Sequence, residues 1–318
     1  MGRPHSDRPT GQVRRPGRSV RRLRLGAAVG IAAVLAVSGC TLPQPVQDGL
    51  ANGPGPTLAP VTSVPAALTV GDLVARTGTG APVRLTLEVL EELPHDRTTF
   101  TQGLEYGPDG TVFESSGLYG ESWIGVVDPA TGEILRRVAV DGDWFAEGIS
   151  LVDGPGGPEL VLLTWRENTA SFRNPITLAE RRRVAYDGEG WGVCDLEDGT
   201  VAMSNGSSTI TIRSTDDFSV VRSVPVTSAG RPVARLNELE CRGGLVWANV
   251  WTTGTIVAID PGDGRVVGEL DASALVTPNR AAGGDVLNGI AAIPSTPDEF
   301  LLTGKRWPTT YRVRISAP

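Results

Sequence analysis

From Val83 to the C-terminus the chain repeats one rhythm: short apolar runs of β-branched and aromatic residues, broken by Gly, Pro, Asn and Asp turns. The runs group into units that each open on a polar strand start, glycine-centred or acidic. These starts are Thr101-Gln102-Gly103-Leu104, Phe145-Ala146-Glu147-Gly148-Ile149, Trp191-Gly192-Val193, Leu236-Asn237-Glu238-Leu239 and Asn288-Gly289-Ile290. Taking Gly103, Gly148, Gly192, Glu238 and Gly289 as equivalent, the spacings are 45, 44, 46 and 51 residues. A near-constant period in this range predicts a propeller with one four-stranded blade per repeat.

The strands follow unit by unit. The first unit predicts strands over Gly103–Tyr106, Thr111–Ser115, Trp123–Asp128 and Ile134–Val140, and the second over Gly148–Val152, Leu160–Trp165, Thr169–Arg173 and Arg182–Tyr186. The third predicts Gly192–Leu196, Val201–Ser204, Thr209–Arg213 and Val220–Val226, and the fourth Leu239–Arg242, Leu245–Val250, Ile256–Asp260 and Val266–Leu270. The fifth has only Gly289–Ile293, Phe300–Thr303 and Tyr311–Ile315 before the sequence stops, one strand short. Val83–Leu93 is strand-like and precedes the first unit. Pairing it into the last blade removes two exposed sheet edges. The expected fold is therefore all-β, a five-bladed β-propeller whose last blade is closed by an N-terminal strand. A sandwich, or a six-bladed ring with one degenerate blade, is the alternative.

Composition separates the ends of the chain. The first aromatic residue is Phe100, and all seven tryptophans lie beyond it. Residues 1–39 hold eight arginines against one acid, Asp7, and so carry +7; an overall charge of −7 then leaves −14 on the rest. An acidic mature domain argues against a nucleic-acid partner, because that binding depends on neutralising phosphates. Leu25–Val37 is an apolar, alanine-rich run behind a basic stretch, too short to span a bilayer comfortably. It predicts a signal peptide over 1–39. Val37-Ser38-Gly39-Cys40 resembles a bacterial lipobox, which would make Cys40 a lipidated N-terminus. Residues 40–82, rich in Pro, Gly and Thr, read as a flexible tether, and 83–318 as the propeller domain. The expected location is the outer face of the bacterial cytoplasmic membrane, held there by the lipid anchor alone.

Cys194 and Cys241 lie in the first strands of adjacent units. Outside the cytoplasm they could pair. Counted from the equivalent glycine position they are one residue out of step, which would place them on opposite pleat faces and oppose a bridge. The pairing stays open.

The candidate chemistry is defined partly by what is missing. The only histidines are His5 and His95, and there is no nucleophile elbow, phosphate loop or HExxH motif. Proton transfer must fall to carboxylates or to Lys305, the sole lysine. Glu147 follows Trp144-Phe145, where it either has its carboxyl tuned toward neutral pH by desolvation beside apolar rings or serves as a strand-start carboxylate that bonds neighbouring amides. Gln102, Asn237, Glu238 and Asn288 form a ring of amides and acids at equivalent positions. Such a ring either binds a ligand or satisfies inner-strand backbone groups around a channel. Trp165, Trp191 and Trp251 either wall a small-ligand site or pack the blades.

These residues fall in ordered blocks: Pro94-His95-Asp96, Phe100–Leu104, Glu114–Gly120, Phe145–Ile149, Leu163–Trp165, Gly188–Gly192, Leu236–Glu240, Ala248–Trp251, Val286–Ala291 and Thr303–Pro308. From about Leu93 to the C-terminus the chain resembles the plant-type and bacterial glutaminyl cyclases. The resemblance implies a five-bladed propeller that converts the N-terminal glutamine of peptides or proteins to pyroglutamate with release of ammonia. It also implies Glu147, Lys305 and Asn237 as catalytic residues. Phe100, Gln102, Phe145, Trp165, Trp191, Trp251 and Asn288 would bind substrate. Ala146 and Asn205 depart from the residues common in that family. No catalytic metal or cofactor is implied, although the channel acids leave room for a structural divalent cation. A monomer is expected. Two other readings remain: a non-catalytic propeller lipoprotein that binds peptides or proteins, and a metal-dependent propeller hydrolase.

Overall fold

The computed structural model describes residues 72–73 and 80–318, which lie within one compact unit, Val61–Pro318. The expected signal peptide, the expected lipidated Cys40 and most of the expected tether lie outside the described residues. The regular structure of the described chain is almost entirely β. Every strand expected from the apolar runs is present, most of them starting or ending within three residues of the expected bounds.

Three four-stranded antiparallel sheets come first. They are β2(Thr101–Tyr106), β3(Val112–Ser116), β4(Trp123–Val127) and β5(Ile134–Ala139); then β6(Ala146–Gly154), β7(Gly157–Thr164), β8(Thr169–Arg173) and β9(Glu180–Ala185); then β10(Val193–Asp195), β11(Thr200–Met203), β12(Thr209–Ser214) and β13(Val220–Pro225). A two-stranded ribbon of β14(Thr227–Ser228) and β15(Arg231–Pro232) follows. The remaining strands are β16(Leu236–Arg242), β17(Leu245–Val250), β18(Thr255–Ile259), β19(Val266–Asp271), β20(Leu287–Ala292), β21(Glu299–Gly304) and β22(Thr309–Ser316). They join with β1(Val83–Pro94) into eight strands in the order β16-β17-β18-β19-β1-β22-β21-β20. β1 is antiparallel to β22 along most of its length and parallel to β19 over Val83–Leu85. The N-terminal strand thus covers both edges that β19 and β22 would otherwise expose.

The first strands β2, β6, β10, β16 and β20 contact one another in a closed cycle. Between successive sheets lie five apolar clusters. Phe113, Ile149 and Leu162 fill one; Phe172, Val193 and Met203 the next; Ile212, Leu239 and Val257 another; Trp247, Phe300 and Val313 a fourth; and Leu104, Val127 and Leu301 the last. Leu73, upstream of β1, is buried in the Trp247 cluster. The glycines of the repeat let the inner strands approach. A Cβ on Gly148 would meet the Trp191 carbonyl oxygen at 2.7 Å, and one on Gly192 the Asn237 carbonyl oxygen at 2.2 Å. The period read from the sequence is thus the period at which one inner strand passes against the next.

Cys194 and Cys241 form a disulfide, with Cα atoms 5.3 Å apart. The one-residue offset that seemed to oppose a bridge is what permits it. Val193 faces the cluster shared with the preceding sheet, while Cys194 faces the cluster shared with β16, where Leu239 and Cys241 point back. Adjacent sheets meet through opposite faces, so residues one step out of phase point at each other. The bridge closes a separation of 47 residues. We expect its reduction, or Cys194→Ser, to lower stability by about 2–4 kcal/mol. Thermal unfolding with and without reductant measures this; an unchanged Tm would contradict it.

Two elements had no sequence expectation, the β14–β15 ribbon and helix α1(Ser273–Ala281). The helix carries Pro278 within it, which hides it from a propensity reading. It is anchored by buried Leu275 and by Asn279, whose Nδ2 donates to the Leu275 carbonyl and to the Tyr311 hydroxyl.

Candidate active site

The polar strand starts converge because their backbones are irregular at the same place. β2, β6, β16 and β20 each shift register against their sheet neighbour: between Thr101 and Gly103, Ala146 and Ile149, Leu236 and Leu239, and Leu287 and Ile290. Gln102, Glu147, Asn237 and Asn288 sit in those shifts. An extra residue there leaves the ladder and re-aims its side chain, a common device beside active sites. Local bonds fix the bulges. The Ser115 hydroxyl donates to the Glu147 carbonyl at 2.6 Å, and the Gly148 N–H to the Trp191 carbonyl at 2.7 Å.

Glu147 is 5 % exposed, and Gln102 Nε2 donates to its Oε1 at 3.3 Å. Gln102 is itself oriented by Asn288, whose Nδ2 reaches Gln102 Oε1 at 3.4 Å and the Thr101 carbonyl at 3.0 Å. Burial pushes the Glu147 carboxyl well above the usual carboxylate range; Lys305 pulls it back down, and Glu189 and Glu167 add to the rise. Lys305 is 6 % exposed, with its ammonium 4.8 Å from the centroid of the Phe100 ring. Its burial favours the neutral amine, while Glu147 and Asp285 favour the ammonium. The buried acid and the buried amine are each drawn from the solution pKa, and the charge of each acts on the other.

The ring of amides and acids divides between the two roles open to it. Glu238 spends its carboxylate on the backbone: Oε2 accepts from the Ile290 N–H at 2.8 Å and Oε1 from the Leu104 N–H at 3.4 Å. Asn249, on β17, accepts the Gly289 N–H through Oδ1 at 3.1 Å. Four buried carboxamide atoms have no partner among the described residues: Asn237 Oδ1, Asn249 Nδ2 and Asn288 Oδ1 at the inner strands, and Asn279 Oδ1 on α1. A buried orphan acceptor costs about 1–3 kcal/mol, a cost that a ligand N–H can remove. No three His, Cys, Asp or Glu side chains among the described residues are arranged to hold a metal ion.

The five aromatic residues singled out in the sequence form one continuous wall. Phe100 meets Phe145 edge-on at 6.3 Å between centroids, Phe145 meets Trp165 at 5.5 Å, and Trp191 meets Trp251 at 5.5 Å. The two halves are joined by Glu189, which sequence reasoning missed. Its Oε2 accepts both indole N–H groups, from Trp165 at 2.9 Å and from Trp191 at 3.1 Å, while Oε1 accepts Arg166 Nε at 2.9 Å. Tyr119 was also missed. It is half exposed, packs on Phe145 at 5.4 Å, and donates to Glu167 Oε1, whose Oε2 takes the Phe145 N–H. The signal for Glu189 was present in Gly188-Glu189-Gly190-Trp191, a carboxylate freed by flanking glycines beside a wall tryptophan.

At the other ends of the same inner strands lies a cavity of about 520 Å³ lined by Glu105, Ser150, Asp195, Glu240 and the disulfide. It holds acids but neither the lysine nor the aromatic wall.

A closed cycle of strand starts, most of them bulged, thus gathers buried carboxyls, one buried amine, unpartnered amides and an aromatic wall at one end of the inner strands. Comparison with known proteins shows the family. The family model for glutamine cyclotransferase matches residues 64–315. A glutaminyl-peptide cyclotransferase from Arabidopsis thaliana is 36 % identical over 234 residues, 72 % of this chain and 71 % of the relative. The crystal structure of Myxococcus xanthus glutaminyl cyclase superposes with a TM-score of 0.68 at 34 % identity, covering 74 % of this chain and 99 % of that one. The chain belongs to the glutamine cyclotransferase family, and its fold is propeller-like.

Proposed function

We propose that this chain is a glutaminyl-peptide cyclotransferase, an enzyme that closes the N-terminal glutamine of a peptide or protein into pyroglutamate and releases ammonia. The observation that carries the reading is the buried Glu147–Gln102–Asn288 chain beside Lys305, in a chain of this family.

The α-amine attacks the γ-amide carbon of the same residue. The C–N bond of the ring forms, and the carbonyl pair moves onto oxygen. Glu147 as carboxylate takes a proton from the attacking nitrogen and returns it to the γ-nitrogen. The γ C–N bond then breaks, the carbonyl re-forms and ammonia leaves. Atoms balance, and Glu147 ends as it began. A carboxyl raised by burial serves both halves of this transfer near neutral pH. Lys305 stabilises the developing oxyanion. The unpartnered Asn237 Oδ1 accepts a substrate N–H and so holds the amine in its attacking direction. Gln102 and Asn288 keep Glu147 in place, and Phe100, Phe145, Trp165, Trp191 and Trp251 shape the pocket and exclude water. Nucleophile and electrophile share one molecule, and a cation is already supplied by Lys305, so the scheme requires no metal.

The same reading takes the architecture as a five-bladed propeller. It is supported by the closed cycle of five inner strands and by β1 lying beside β22 as the fourth strand of the last blade. It also places the enzyme outside the cytoplasm, as a lipid-anchored monomer with Cys40 as the anchor. An inter-sheet disulfide suits an oxidising compartment.

Mass spectrometry of peptides with N-terminal glutamine, incubated with the full chain and with a chelator, tests the reaction. The expected result is loss of one ammonia per peptide, at the same rate with and without chelator. Intact peptides across several sequences would contradict the reading, and chelator sensitivity would contradict the metal-free scheme.

A further inference from the structure

Lys305 is carried on a short loop between β21 and β22, and something must hold that loop still. The loop contains Arg306 at φ 58°. One group reaches it from below: His95, just after β1. Its side chain is 6 % exposed and is gripped on both nitrogens. Nδ1 lies 2.7 Å from the Trp307 carbonyl oxygen, and Nε2 lies 2.9 Å from Glu114 Oε1 on β3. A carbonyl can only accept, so Nδ1 carries a hydrogen. One further proton is shared between Nε2 and the carboxyl of Glu114. The Thr101 hydroxyl also donates to Glu114 Oε1, at 2.7 Å. Thr101 is the residue before Gln102, and its carbonyl is held by Asn288. Backbone bonds complete the brace: His95 N–H to the Pro308 carbonyl and Arg306 N–H to the Thr99 carbonyl. One buried chain therefore runs from the strand start that carries Gln102, through Glu114 and His95, to the loop that carries Lys305.

We propose that His95 is a positioning residue for cyclisation, which with Glu114 locks the Lys305 loop against the Gln102 strand and so sets the ammonium relative to Glu147. This rests on the cyclotransferase reading. His95 does not touch the reacting atoms. The lock is titratable. Burial opposes the charged imidazole, but Glu114, the Trp307 carbonyl and Asp96 outweigh it and raise the His95 pKa above its ordinary value. With a raised folded-state pKa, the interaction is complete below that pKa and lost as pH rises through it. Above it, the Nε2 lone pair faces a carboxylate and the bond to Glu114 fails.

The test compares wild type, His95→Ala and Glu114→Gln by kcat and KM across pH, with circular dichroism to confirm folding. In Glu114→Gln the new amide donates to Nε2 of a neutral imidazole, which keeps the brace without a proton to lose. The expected results are a kcat lowered about 10–100-fold in His95→Ala, with KM changed little, since a misplacement of about 1 Å can cost 10²-fold. Glu114→Gln should keep kcat near wild type at neutral pH while the alkaline fall in kcat moves to higher pH. A folded His95→Ala with wild-type kcat would overturn the proposal. So would an alkaline limb that Glu114→Gln leaves in place, and that arm decides alone if His95→Ala does not fold. An inactive wild type would sink the cyclotransferase reading instead.

Discussion

Glu147→Gln lowers kcat by about 10²–10⁴-fold, the usual contribution of one acid–base group, with the fold and peptide binding retained. The amide keeps the shape of the side chain and its contact with Gln102, but it can neither take the proton from the attacking amine nor return it to the leaving nitrogen. Little stability should be lost, because the carboxyl is buried at a cost that the neutral amide does not pay. Steady-state kinetics on a glutaminyl dipeptide measure the effect. Retention of more than about a tenth of the wild-type kcat would remove Glu147 from the role.

Lys305→Met is the second large loss, about 10²–10³-fold in kcat, the effect of removing one donor from a developing oxyanion. It also makes a signed prediction. The Lys305 charge holds the Glu147 carboxyl below the value that burial alone would give. Without it, Glu147 keeps its proton to higher pH, so the acid limb of the residual kcat/KM moves upward. A pH profile of the variant checks this. A limb that stays in place, or moves down, would mean that Lys305 and Glu147 are not coupled.

The order and span of the strands were legible in the sequence because the apolar runs, turn residues and repeat spacing agree at every unit. At the first three repeats the glycine is where one inner strand crosses the next, as the contacts of Gly103, Gly148 and Gly192 show. Glu147 and Lys305 stood out as candidates for another reason: they lie in motifs of a family, and a sole lysine is easily seen. What could not be read was anything set by a register shift or by a contact between sheets. The Cys194–Cys241 bridge depends on which face each sheet turns to its neighbour, which phase counting along equivalent strands reverses. Glu238 and Asn237 are adjacent in sequence and similar in polarity. Only the bulge in β16 sends one to the Ile290 and Leu104 backbone and leaves an oxygen of the other unpartnered. Glu189 was hidden because its importance lies in joining Trp165 to Trp191, 24 and 2 residues away. His95 was given no role from the sequence because its partners, Glu114 and Trp307, are 19 and 212 residues distant.

The central claim is that one buried carboxyl moves the proton in an intramolecular aminolysis. Ammonia release from a glutaminyl dipeptide tests it most directly, with the full-length wild type set against Glu147→Gln and against the same dipeptide blocked at its α-amine. The account predicts release well above the spontaneous rate by the wild type, release near that rate by the variant, and none from the blocked dipeptide. Equal release by wild type and variant, or release from the blocked peptide, would contradict it.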